Sequence, residues 1–160
     1  MLSAAKLKSN LISLIHSGYD KIEDAAHAWL DSYVDYAKDG TAFLTAPNIL
    51  EANKTVLESG FIAKFATASA GLPLTAATDL AALLTAFWLT PPITFGTPVP
   101  FALVSVVPGT AALATALNST FLVIGGSEED KATAISLAID TFTKTIIVLN
   151  PATLVTTTII

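Results

Sequence analysis

The chain contains no cysteine and no arginine. Without cysteine there are no disulfides, no thiolate nucleophile and no thiolate metal ligand. Without arginine the planar fork that best grips phosphates and base edges is missing. All eight basic residues are lysines, the net charge is −5, and no basic cluster stands out. A nucleic-acid-binding face is therefore not expected, because nothing is placed to displace counterions from phosphates. Charge itself is scarce, at 13% of residues against an apolar fraction of 52%. Between Asp79 and Glu128 there is no Asp, Glu, Lys, Arg or His at all. A stretch of that length must face a core, a partner subunit or a bilayer.

What is present reads mainly as helix. Leu7, Leu11, Leu14 and Ile15 recur at helical spacing between Ser3 and Ser17, and Gly18 ends the run. No continuous apolar run precedes them, so the N-terminus reads as an amphipathic helix and not as a secretion signal. Asp20 is the expected cap of a second helix reaching Lys38, with Ile22, Ala26, Trp29, Leu30, Tyr33 and Ala37 on its apolar face. Pro47 is placed to start a third helix running to about Ala70, with Gly60 as a point of division. Thr75 is the expected cap of a fourth helix ending near Leu89, and Pro108-Gly109-Thr110 opens a fifth. Ser127-Glu128-Glu129-Asp130 is a hydroxyl cap followed by acids, starting a sixth. That helix is expected to bury Ala132, Ile135, Ala138, Ile139 and Phe142 while exposing Lys131, Ser136 and Asp140.

The uncharged stretch is divided by WLTPPITFGTPVPF, whose four prolines oppose both regular helix and a central strand. An ordered extended loop over 90–107 is expected. After Lys144 the β-branched runs TIIVL and TLVTTTII favour one or two strands, paired with the chain's own domain or with a neighbouring subunit. The fold class that results is mainly α: a single helical domain of five to six helices over 1–145, and a short β element over 146–160. AHAWLDSYVDY faintly echoes AISLAIDTFTK, centred on Asp31 and Asp140.

No constellation for chemistry emerges. The Asp20/Asp24 and Asp31/Asp35 pairs fall on the solvated face of their helix, and His16 and His27 stand apart from ligand clusters. Gly125-Gly126 lacks the following Lys-Ser/Thr of a phosphate loop, and no serine sits in a nucleophile elbow. Asn53-Lys54-Thr55 and Asn118-Ser119-Thr120 match the glycosylation pattern and read as chance. No catalytic residue, cofactor or metal is expected. The contact residues expected at subunit interfaces are Phe87, Trp88, Ile93, Phe95, Val99 and Phe101 around the proline loop. Ile146, Ile147, Val148, Leu154, Val155, Ile159 and Ile160 are those expected in the tail.

The succession FWLTPPITFGTP, PGTAALATAL and EEDKATAISLAIDTFTKTIIV resembles small structural proteins of tailed-bacteriophage virions. The resemblance implies a structural virion component at the neck or tail, and the excess of apolar over charged residues adds the expectation of a non-enzymatic subunit in a homo-oligomeric assembly. Its partners would be copies of itself and other virion proteins, and its place the virion, with assembly in the host cytoplasm. The alternative expectation is a holin-like or pore-forming protein that uses 80–127, in which Val99 to Ile124 is long enough to span a bilayer as a helix.

Overall fold

The computed structural model describes residues 1–67, 72–96, 102–123 and 125–160. Among them lie six helices: α1 (Ala4–Ser17), α2 (Ile22–Ala37), α3 (Glu51–Thr67), α4 (Pro73–Leu89), α5 (Thr110–Leu122) and α6 (Glu128–Thr143). Five short strands accompany them: β1 (Pro47–Asn48), β2 (Thr94–Phe95), β3 (Ala102–Val106), β4 (Ile147–Asn150) and β5 (Val155–Thr158).

Local chemistry sets the helix ends. Ser3 caps α1, its hydroxyl accepting from the Lys6 amide, and Gly18 stops it at φ +60. Ser127 and Asp130 form the reciprocal capping box at α6, with Ser127 Oγ accepting from the Asp130 amide at 3.1 Å. Three starts differ from expectation. The α2 helix begins after Lys21 with no side-chain cap, so Asp20 stays outside it. The α4 helix begins at Pro73, ahead of Thr75, because proline fits the first turn of a helix. Pro47 opens β1, and α3 starts at Glu51 after the Asn53 side chain accepts from the Leu50 amide at 3.1 Å. Gly60 divides nothing: α3 runs through it, and a Cβ there would run into the Leu83 side chain. Glycine is what lets α3 and α4 approach so closely.

Consecutive helices pack against one another, and α6 returns to α1, which closes a six-membered ring. The helices run up and down in turn. Lys6 near the start of α1 meets Asp35 and Asp39 at the end of α2, and Lys64 of α3 meets Asp79 of α4. Thr85 of α4 meets Thr110 of α5. The ends of α1, α3 and α5 and the starts of α2, α4 and α6 therefore all fall at one end of the ring. The longer connections fall at the other end, together with the C-terminal segment.

Those longer connections carry the sheet. Its strand order is β1-β2-β3-β4-β5 and every pairing is antiparallel. The β element is thus larger than the expected C-terminal one, and 90–107 supplies β2 and the central strand β3. Prolines bar a strand only at the residues they occupy. Pro91, Pro92 and Pro108 fall outside the strand limits and β3 itself contains no proline, so Ala102–Val106 is free to donate to both neighbours. Residues 97–101, which include Val99 and Phe101, lie outside the described part of this segment. The tail pairs within its own chain, with Val148 opposite Thr157 and Leu103 opposite Leu149.

The core fills the ring and the space beneath the sheet. Tyr33 and Phe87 meet edge to face at 5.2 Å between ring centres, and Phe87 and Trp88 do so at 5.5 Å. Leu57, Leu84, Leu117, Ile93, Phe95 and Ile146 are buried around them. Much of the uncharged stretch that reaches solvent does so through Ala, Thr and Ser. Thr115, Ser119 and Thr120 each donate a hydroxyl to the carbonyl one turn back, so these faces need no charge to be satisfied. At the sheet end Ile159 is buried against Gly40, where a Cβ would stand 2.8 Å from it, and Leu2 lies against the same glycine. Ile160 exchanges two backbone hydrogen bonds with Thr41, each 3.0 Å.

Candidate functional site

The open end of the ring, away from the sheet, holds a cavity of ≈ 460 Å³. Five helices contribute. Trp29 comes from α2; Phe61 and Phe65 from α3; Leu80 and Leu83 from α4; Phe121 from α5 and Ile135 from α6. Trp29 and Phe61 are tilted at 5.7 Å, and Phe61 stacks on Phe65 at 5.5 Å, so one wall is a continuous aromatic run. Lys64 and Asp79 pair across the α3–α4 contact at 3.0 Å and line the same space, with Thr67 and Thr75. Sequence periodicity places Trp29 on the apolar face of its helix, but no short-range pattern shows that it borders a void. The lining comes from segments spread between residues 29 and 135.

The polar groups inside the fold make a different kind of site. Asp140, expected on the surface, is 6% exposed, and Ser136 is buried too. The reason lies on α2: the Tyr36 hydroxyl donates to Asp140 Oδ1 at 2.8 Å, and Lys144 Nζ donates to Oδ2 at 2.7 Å. A buried carboxylate is tolerable when its oxygens are met in this way. Trp88 Nε1 donates to the Tyr33 hydroxyl at 2.7 Å. Burial pushes the Tyr33 hydroxyl up to about 12, against the opposing contacts with Trp88 and Thr143. Burial raises Tyr36 as well, helped by Tyr33 and Asp140. Both tyrosines stay neutral and act as structural hydrogen-bonding groups. Asn53 is fully buried, its amide donating to the carbonyls of Phe87 at 2.9 Å and Pro91 at 2.7 Å. Among the described residues no buried side-chain nitrogen or oxygen lacks a partner. The echo between α2 and α6 does not extend to environment, since the Asp31 side chain is exposed where Asp140 is enclosed.

The carboxylates singled out on α2 do not converge. Asp35 pairs with Lys6, and its carboxyl is held low by Asn10 and then by Lys6. Asp31 lies 3.4 Å from His27, whose other ring nitrogen is 2.9 Å from Glu58. This exposed trio was missed in the sequence because Glu58 comes from the next helix. The Glu58 hydrogen bond, then Asp31, raise the His27 pKa. No group of three or more His, Cys, Asp or Glu positioned for a metal occurs among the described residues.

Of the expected interface residues, Phe87, Trp88, Ile93, Phe95, Ile146, Val148 and Ile159 are wholly inside the chain's own core. Their apolar character is used in folding, which leaves none of their surface for a partner. Ile147 is half-buried, whereas Leu154, Val155 and Ile160 are exposed. The run from Val99 to Ile124 contains strand β3 and helix α5, not one long helix. No helix among the described residues is long and apolar enough to cross a membrane.

Comparison of the chain with protein-family models, with curated proteins and with solved structures finds no significant match.

Proposed function

We propose that the protein is a non-enzymatic structural subunit that assembles with copies of itself by strand addition at β5. The setting we propose is the neck or tail of a phage virion, on the strength of the sequence resemblance alone. The supporting observation is the contrast between the two edges of the sheet. At one edge β1 is two residues long and begins with a proline, both of which discourage further pairing. At the other edge β5 reads Val-Thr-Thr-Thr, largely exposed, with no charge or proline on it. Exposed Leu154 and Val155 extend that edge with apolar surface. Edges left unprotected in this way are templates for another strand.

The test is the mass in solution of the wild-type chain and of a Thr156→Lys, Thr158→Lys double variant, by light scattering. Wild type should show several times the mass of one chain, and the lysine variant the mass of one chain with unchanged helical circular dichroism. A wild-type chain that remains single at high concentration would overturn the proposal. Deleting the tail after Thr145 is a poorer test, because it removes Ile146, Val148 and Ile159 from the core.

A further inference from the structure

We infer that the cavity at the open end binds an uncharged, single-tailed amphiphile: one slender alkyl body carrying a neutral hydroxyl, ester or amide head. This reading stands apart from strand addition, which concerns the opposite end of the molecule. The volume of ≈ 460 Å³ lies within the range of small-molecule sites. At about 30 Å³ per water it has room for roughly fifteen non-hydrogen atoms, or a tail of about a dozen carbons with its head. Two turns of an α-helix, about 10–12 Å across and about 11 Å long, displace roughly twice that volume. The space therefore suits a small molecule and not a partner helix.

The walls select the tail. Trp29, Phe61, Phe65, Leu80 and Leu83 give a water molecule almost nothing to bond, so an alkyl chain replaces poorly held water. The polar groups select the head. Lys64 and Asp79 are already paired at 3.0 Å and neutralise each other. A hydroxyl can accept from Lys64 and donate to Asp79 at once. A carboxylate must compete with Asp79 for the lysine and meets its repulsion.

Titration of the full chain with 1-N-phenylnaphthylamine, a neutral fluorescent probe, tests the site. Binding should saturate at one probe per chain. Dodecanol and 1-monolauroylglycerol should displace the probe at concentrations at least tenfold lower than laurate does. Ala76→Phe and Leu80→Trp, which fill the cavity from α4, should each weaken probe binding at least tenfold. Trp29→Phe should keep binding yet lose the change in intrinsic fluorescence on adding dodecanol, since Trp88 is sealed in the core. Non-saturable binding overturns the site. So does undiminished binding in either filled variant that still unfolds cooperatively. If neither filled variant folds, Trp29→Phe decides: a fluorescence change that persists without Trp29 overturns the site. Laurate matching the neutral competitors overturns the choice of head group.

Discussion

The Tyr36 hydroxyl reaches Asp140 Oδ1 at 2.8 Å across 104 residues of chain, and through it α2 holds α6, the two helices that flank α1 in the ring. The bond explains why a carboxylate can sit in a helix face that is otherwise packed. It also fixes the rotation of α6, because Lys144 takes the second oxygen one turn further on. Since Tyr36 is pushed up by burial and by its neighbours, it remains a donor throughout the physiological range.

Tyr36→Phe keeps the ring and removes the donor. A hydrogen bond to a charged group contributes about 1.5–3 kcal/mol, so urea unfolding should show a loss of about 2 kcal/mol. A loss under about 0.5 kcal/mol would mean that water takes the place of the hydroxyl and that the bond does not hold α6.

Asn53 ties the start of α3 to the end of α4 through two hydrogen bonds donated by its amide, and accepts a third from the Leu50 amide just ahead of α3. Asn53→Leu should cost about 3 kcal/mol, at about 1 kcal/mol per bond. Asn53→Asp keeps the acceptor for Leu50 but turns a carboxylate towards the Phe87 and Pro91 carbonyls, so it should be at least as damaging. Thermal melts of the two variants check the order. Full burial and these bonds also leave Asn53 closed to glycan attachment in the folded chain, whatever its sequence pattern.

Gly60→Ala places a methyl group against Leu83. Overpacking of this kind costs about 1–3 kcal/mol, partly offset by about 1 kcal/mol from the better helix propensity of alanine. The net loss should be about 1 kcal/mol, and Leu83, displaced towards the cavity, should lower the affinity for 1-N-phenylnaphthylamine. A stabilised variant would show that Leu83 has another rotamer at no cost.

His27 supplies a pH test. Its folded pKa is raised, first by Glu58 and then by Asp31. Stability from these pairs is therefore complete below the unfolded value of about 6.5, and is lost as pH rises through the folded pKa. The His27 side chain is 62% exposed, so solvent screening holds the effect to at most about 1 kcal/mol. NMR titration of its ring protons should give a midpoint above 6.5 that falls in Glu58→Gln and with added salt.

The helices were legible because each carries its own period and several carry their own caps, as Ser127 and Asp130 show. The C-terminal strands were legible from β-branched runs. The strands at 47–48, 94–95 and 102–106 were not, since two to five residues between prolines carry little periodicity and pairing depends on distant partners. Asp140 illustrates a second limit. A carboxylate on a helix reads as solvated unless its partner is known, and Tyr36 stands four elements away in the chain's helical order. The cavity shows a third, because a void belongs to no segment: its lining is drawn from five helices, and none of them carries a mark of it in its own stretch of sequence.

Leu2 and Ile159 share one neighbour, Gly40, so the segments around residues 2 and 159 come together at the sheet end. The ring of helices is thus nearly closed covalently as well as by packing. A short linker joining the two termini would bridge little distance and cost little loop entropy. New termini could then be cut at Gly125-Gly126, where positive φ and open surroundings mark a link that packs against little. Such a permuted chain keeps each helix beside the same two neighbours. Only the place where the circle is broken changes.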